Sequence, residues 1–297
     1  YETALVGLAV AKYLEVPMIY EIRSFLEHTW TGELERAEEG EYYDRRYQQE
    51  IRCLTEANHI ITIADSMRAE IIGRGIPAEK ISVVPNVVDV NRFKPRPKSQ
   101  ELLGRHSLNG SQVIGYISNL GFREGIDNLI RAVGLLRDCG LDVKCLVVGD
   151  GPERDRLSAL VDELGLGDHV VLTGHVPNSE ILDYYAAIDL FVIPRIADRA
   201  ARLVTPLKPL EAMAMGIPVI AADLPALREL VSPGERGEVF RPSDPEHLAD
   251  IAGDLLVDDD RRMKYAAAGR AWVESDRTLE ANAHRYASIL RSVLEQQ

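Results

Sequence analysis

The chain has 297 residues, 46% of them apolar, enough to bury a large core and, by the usual domain size, to build two domains. Its net charge of −13, with no block of five or six Lys and Arg, excludes a general nucleic-acid binder, because a polyanion needs a basic face. Cys53, Cys139 and Cys145 are scattered and have no Cys-x-x-Cys or Cys/His spacing, which points to thiols in a reducing compartment, the cytoplasm, and away from a disulfide or zinc framework.

The first apolar segment, ALVGLAVAKYLEVPMIY, is broken by Lys12, Glu15 and Pro17 before it reaches the roughly 18 residues of a membrane span, and it reads as a helix running into a strand. No charged leader precedes it and the chain opens on Tyr1 rather than Met, the look of a fragment. From there on, short β-branched runs alternate with amphipathic helical stretches, the pattern of parallel sheets covered by helices. Three strands are expected early, at Met18–Arg23, His59–Ala64 and Ile81–Asn86, with a loop and a long charged helix over Gly32–Ala57 between the first two. Pro95 and Pro97 mark a linker. The expected division is therefore a first domain over residues 1–94, a second over 95–276, and an amphipathic helix over 277–297 that is a candidate to pack back on the first domain.

Six more strands are expected in the second domain: Val113–Ser118, Val143–Gly149, Val170–Gly174, Leu190–Pro194, Pro218–Asp223 and Gly237–Phe240. In the common doubly wound order 3-2-1-4-5-6, the first and fourth of these are neighbours where the winding reverses, and ligands bind beyond their carboxyl ends. That rule selects the loops Ser118–Gly125 and Arg195–Pro209.

The most informative stretch follows the second of these loops, in TPLKPLEAMAMGIPVIAAD. Glu211 falls early on an apolar helix, where its oxygens can accept both hydroxyl protons of a ribose diol; the plain counterpart is an acid complementing the helix dipole. The amides of Leu207, Lys208 and Leu210 and the charge of Lys208 are candidates for a diphosphate. Arg123, in the other loop, offers a planar fork suited to phosphate oxygens, or else a surface pair with Glu124. Arg195, Arg199 and Arg202 share one loop; Arg199 is favoured to face the ligand, with a solvated loop face as the counterpart. The backbone of LTGHVPNSEI, around Val176, can pair with a nucleobase edge. Glu21 and Arg23 end the first strand in YEIR, facing a cleft or forming a structural ion pair. The glycines of VVGDGPERDRL are weak evidence alone. No Gly-x-Gly-x-x-Gly follows a first strand, which disfavours an oxidoreductase. The histidines show no metal spacing, and no metal site is expected.

VVPNVVDVNRF, VVGDGPERDRL, VVLTGHVP, DLFVIPR and PLEAMAMGIPVIAADLPALRELV occur in an order and spacing that resembles the family 4 (group 1) glycosyltransferases. The resemblance spans nearly the whole chain, and YEIR with LVTPLKPLEAMA is similar to a bacterial subset tied to exopolysaccharide and exosortase-associated gene clusters. It implies an α/β protein of the GT-B fold, two facing Rossmann-like doubly wound parallel-sheet domains, with the first incomplete because further strands and a Gly-rich loop would precede Tyr1. Three strands alone imply an exposed apolar sheet edge and poor turnover. The activity implied is retaining, metal-independent transfer of a sugar from a UDP- or GDP-linked donor, a substrate rather than a cofactor, to a hydroxyl of a polysaccharide or lipid-linked acceptor, at the inner face of a membrane. Glu211 would hold the ribose, with Leu207, Asn119, Val176, Glu21 and Arg23 as further donor contacts and Arg123, Lys208 and Arg199 stabilising the departing diphosphate. Members usually carry a second Glu where this chain has Leu203, and Arg and Lys where it has Asn119 and Glu124. A non-catalytic nucleotide-sugar binder and a nucleotide-sugar epimerase of the same fold are the competing readings.

Overall fold

A computed structural model describes residues 1–29 and 40–295, so the expected loop at 32–39 lies outside the described residues. Among these residues all nine expected strands are found, in two parallel sheets. The chain divides into two compact units: residues 1–86, 198–205 and 279–297 form the first, and residues 87–197 and 206–278 the second. The boundary falls at Val87 rather than Pro95, and an eight-residue segment after the seventh strand, residues 198–205, belongs to the first unit although both its neighbours in sequence belong to the second.

In the first unit, strands β1 (Ile19–Ile22), β2 (His59–Thr62) and β3 (Ile81–Val83) pair in that order, all parallel. Helix α1 (Glu2–Leu14) precedes β1, α2 (Leu26–Thr29) and α3 (Glu41–Glu56) lie between β1 and β2, and α4 (Asp65–Gly73) lies between β2 and β3. The core is built from Ile22, Phe25, Leu54, Ile60, Met67 and Ile71. The edge strand β1 turns its apolar residues inward and exposes Glu21, so the expected apolar sheet edge is absent there. Exposed apolar side chains sit on α1 instead, at Val6, Val10, Tyr13 and Leu14.

The inserted segment carries helix α9 (Arg199–Leu203), capped by Asp198, whose carboxylate accepts from the Ala201 amide at 2.6 Å. Leu203 and Val204 pack against the first unit's core, and Ser66 donates to the Leu203 carbonyl at 3.0 Å. The C-terminal helix α14 (Leu279–Glu295) belongs to the same unit; its Asn282 donates to the Pro85 carbonyl at 2.7 Å.

A chain of charges fixes α9. Arg74, whose side chain is 2% exposed, lies 2.7 Å from Glu27 and 3.0 Å from Glu70, and Glu70 reaches Arg199 at 2.9 Å. Burial pushes the Glu70 carboxyl up, but Arg74 and Arg199 outweigh it and hold it below the usual glutamate range.

The second unit holds a six-stranded parallel sheet in the order β6-β5-β4-β7-β8-β9, which is the expected 3-2-1-4-5-6. Its strands are β4 (Gln112–Ile117), β5 (Val143–Val148), β6 (Val170–Leu172), β7 (Leu190–Ile193), β8 (Val219–Ala222) and β9 (Gly237–Phe240). Both faces are covered, and β7 and β8 are buried at every residue, so they read as unbroken apolar runs rather than alternating ones. Helix α5 (Gln100–Arg105) leads into β4, and helices α6 (Ile126–Asp138), α7 (Arg154–Glu163), α8 (Ile181–Ala187), α10 (Lys208–Ala214), α11 (Pro225–Val231), α12 (Pro245–Val257) and α13 (Asp259–Asp276) make the crossovers and the C-terminal cover. No helix among the described residues is long and apolar enough to cross a membrane.

Glu70→Ala leaves Arg74 buried with one of its carboxylate partners gone, and is expected to destabilise the protein by about 3 kcal/mol in urea unfolding. Because the Glu70 carboxyl is held low in the folded protein, the stability it contributes is complete above its unfolded pKa and lost as pH falls through its folded one. The gap between wild type and Glu70→Ala should therefore narrow in acid; a constant gap would contradict this.

Candidate nucleotide site at the strand switch point

The sheet brings four loops together at the carboxyl ends of its strands. The Leu120 amide, in the loop after β4, donates to the Asp150 carbonyl after β5 at 3.0 Å, and the Gly149 amide donates to the Gly174 carbonyl after β6 at 3.1 Å. On the other side, the Ile196 amide after β7 donates to the Arg123 carbonyl at 3.1 Å. These approaches need glycine. Gly149 has φ +136°, and a Cβ there would fall 1.8 Å from the Ser118 carbonyl oxygen; Gly125 has φ +61°, and a Cβ would fall 2.1 Å from that of Pro194. The Gly-Asp-Gly turn, weak as a motif, is thus the place where two loop backbones touch.

Glu211 sits on α10, and its carboxylate, 16% exposed, has two hydrogen-bond partners among the described residues, both on Oε2. Lys208 Nζ lies 3.1 Å away, one helical turn back, and the Tyr185 hydroxyl donates from α8 at 2.5 Å. Tyr185 is fully buried; its ring stacks on Phe191 of β7 at 5.8 Å and meets the edge of Phe93 at 5.8 Å. Burial first, then the Glu211 charge, holds its phenol protonated, well above the usual tyrosine range.

A second tyrosine–glutamate pair flanks the first. Tyr116 of β4 donates to Glu124, which also takes the Arg195 guanidinium at 3.1 and 3.3 Å, and the Tyr116 ring meets Phe191 at 5.6 Å. Phe191 therefore contacts two buried tyrosines, each tied to a glutamate. Burial opposes the charge on Arg195, but Tyr116 and Glu124 more than offset it and hold the guanidinium above its usual range.

The expected site residues fall into groups. Lys208 and Glu211 come together as an ion pair. Arg123 and Asn119 lie in the β4 loop, where Arg123 is near the Phe122 ring and the Asn119 carbonyl accepts from Gly121 at 2.8 Å. Val176 is half-buried just past Gly174, and Leu207 caps α10 with an exposed side chain. The Leu210 amide donates to the Leu207 carbonyl at 3.0 Å, so it is not available to a phosphate. Arg199 belongs to the first unit, spent on Glu70 and on the Tyr43 hydroxyl at 3.3 Å. Glu21 and Arg23 pair with each other at 3.0 Å, Glu21 accepts from Tyr286 of α14 at 2.7 Å, and Arg23 donates to Asn86 at 2.5 Å. That network is the structural ion pair named as their counterpart. Tyr116 and Tyr185 were not expected; the only trace of Tyr185 is its place in a short helix directly ahead of the wholly apolar β7.

A groove of about 400 Å³ between α6 and α12 has an apolar floor of Leu135, Leu136 and Leu141. Its rim of Asp138, Glu246, Asp250 and Asp254 repels a diphosphate, which leaves the strand ends as the better site.

Residues 100–272 match the family described as Glycosyl transferases group 1, and residues 1–92 match Glycosyltransferase Family 4. The chain belongs to the group 1 glycosyl transferases. It is 31% identical over 245 residues to a GDP-mannose-dependent alpha-(1-6)-phosphatidylinositol monomannoside mannosyltransferase of Mycobacterium tuberculosis, covering 81% of this chain and 64% of that protein. It is also 31% identical over 205 residues to a 2-deoxystreptamine glucosyltransferase of Streptomyces kanamyceticus, covering 68% of this chain and 52% of that one. The chain thus spans less than two thirds of the length of these relatives. Among solved structures, Anabaena HepE in complex with UDP and glucose superposes with a TM-score of 0.81 at 23% identity over 98% of this chain and 76% of that one. Sucrose-phosphate synthase of Thermosynechococcus elongatus gives 0.80 at 24% identity, over 99% and 72%. The fold class is that of the GT-B glycosyltransferases.

Glu124→Gln is expected to leave Arg195 buried against a neutral partner and to cost about 3 kcal/mol of stability in urea unfolding. A loss below about 0.5 kcal/mol, the range of an ordinary surface substitution, would contradict the buried pairing.

Proposed function

We propose that the protein moves a sugar from a nucleotide-sugar donor to a hydroxyl acceptor. The observation that carries this reading is the partly exposed Glu211 carboxylate at the α10 entrance of the reversed sheet, with Oε2 held by Tyr185 and Lys208 and no hydrogen bond to Oε1 among the described residues. A carboxylate oxygen so placed suits a ribose diol, and family membership supports nucleotide-linked donors. The relatives name both GDP-mannose and, in a complex, UDP with glucose, so the donor is a UDP- or GDP-sugar.

In the reaction, the bond between the anomeric carbon and the diphosphate oxygen breaks, the acceptor oxygen bonds to that carbon, and the acceptor proton passes to the departing phosphate. The charge that grows on the diphosphate is met by Lys208 and Arg123, with no metal required. The acceptor is a polysaccharide or lipid-linked sugar at the cytoplasmic face of a membrane. Retention of the anomeric configuration, and Asn119, Val176 and Leu207 as further donor contacts, belong to the same reading.

A non-catalytic nucleotide-sugar binder is the second reading. It is favoured by Leu203, an apolar side chain packed against the first unit's core where the family resemblance implies a glutamate, and by Glu124, which neutralises Arg195.

Calorimetry with UDP and GDP is expected to show binding of at least one of them, and Glu211→Ala to weaken it by roughly tenfold, the factor carried by one good hydrogen bond to a charged group. No binding of either would end both readings. Transfer of radiolabelled sugar to a lipid-linked acceptor separates them: binding without transfer would leave the binder.

A further inference from the structure

The hydrogen bonds that Glu211 makes among the described residues leave an asymmetry. Tyr185 and Lys208 both approach Oε2, so Oε1 is the oxygen left for a ligand. Lys208 cannot fix that asymmetry, because it is 36% exposed on a flexible stem and a diphosphate would draw it away. Tyr185 can. It is 0% exposed, its ring is held between Phe191 and Phe93, and its protonated hydroxyl has Glu211 as an acceptor at 2.5 Å. Phe191 in turn lies on β7, beside β4 at the point of reversal, so the hydroxyl is fixed relative to the sheet rather than to α10.

We infer that Tyr185 is the positioning residue for Glu211: by occupying Oε2 from below it turns Oε1 outward and makes the site select ribose over sugars that lack the diol. This rests on the reading of Glu211 as the ribose acceptor and adds the residue that sets its rotamer. Tyr185 touches no ligand; it acts through Glu211.

The test compares full-length chains, wild type and Tyr185→Phe, for binding of UDP and GDP against their 2′,3′-dideoxy counterparts. A positioning role predicts that the wild type prefers the ribonucleotide by roughly tenfold or more, and that Tyr185→Phe loses most of that preference while binding the dideoxy nucleotide within about twofold of wild type. Equal weakening toward both nucleotides would mean that Tyr185 is only structural and would overturn the inference, as would an unchanged preference. Absence of any preference in the wild type would remove the ribose reading of Glu211 and this inference with it, a result distinct from either outcome in the variant. If Tyr185→Phe does not fold, 3-fluorotyrosine at position 185 changes the acidity of the hydroxyl with almost no change in shape. A ribose preference that shifts at constant dideoxy affinity supports the role, and one that stays fixed overturns it.

Discussion

Strands β4 and β7 lie side by side and parallel, although two other strands of the sheet intervene in sequence, and the chemistry of the second unit hangs from that junction. A doubly wound sheet must leave a crevice where its winding reverses, because the crossovers on either side depart to opposite faces. Here the crevice is framed by backbone: Gly125 closes on the Pro194 carbonyl from one side, and Gly149 on the Ser118 carbonyl from the other. Phe191 contacts two buried tyrosines, and each tyrosine donates to a glutamate. A carboxylate in such a place would be costly without partners; the phenols supply hydrogen bonds and the neighbouring Lys208 and Arg195 supply charge.

That arrangement also explains two residues that depart from the usual family pattern. Leu203 is on α9, a segment that leaves the second unit, and its partly buried side chain packs against the first unit's core. Glu124 replaces a cation but does not leave the β4 loop negative, because Arg195 arrives from the next loop and pairs with it in a near-bidentate fork. The pair is electrically neutral, so any excess positive charge in this loop has to come from Arg123. Arg199, in contrast, is committed to Glu70 and Tyr43, so its cationic charge serves to anchor α9.

How much of this was legible in the sequence follows from the range of each interaction. The nine strands and the order of the large sheet were readable because apolar runs such as DLFVIP and PVIAAD carry their own signal, and crossover chirality leaves few ways to order them. The Lys208–Glu211 pair was readable because residues three apart on a helix are neighbours. The Tyr185–Glu211 bond joins side chains 26 residues apart and the Tyr116–Phe191 contact spans a strand pair, so neither leaves a local trace. The boundary at Val87 and the transfer of residues 198–205 to the first unit were hidden for the same reason: proline marks a stiff connection, while membership of a core is decided by contacts distant in sequence. The ion pair of Arg199 with Glu70, 129 residues away, left no local trace either.

The central claim is that the outward oxygen of Glu211 receives a ribose. A crystal structure of the protein with UDP or GDP bound tests it most directly. The account predicts a ribose hydroxyl within hydrogen-bond reach of Glu211 Oε1 while Tyr185 still holds Oε2. A nucleotide seated in the α6–α12 groove, or one whose ribose turns away from Glu211, would contradict it.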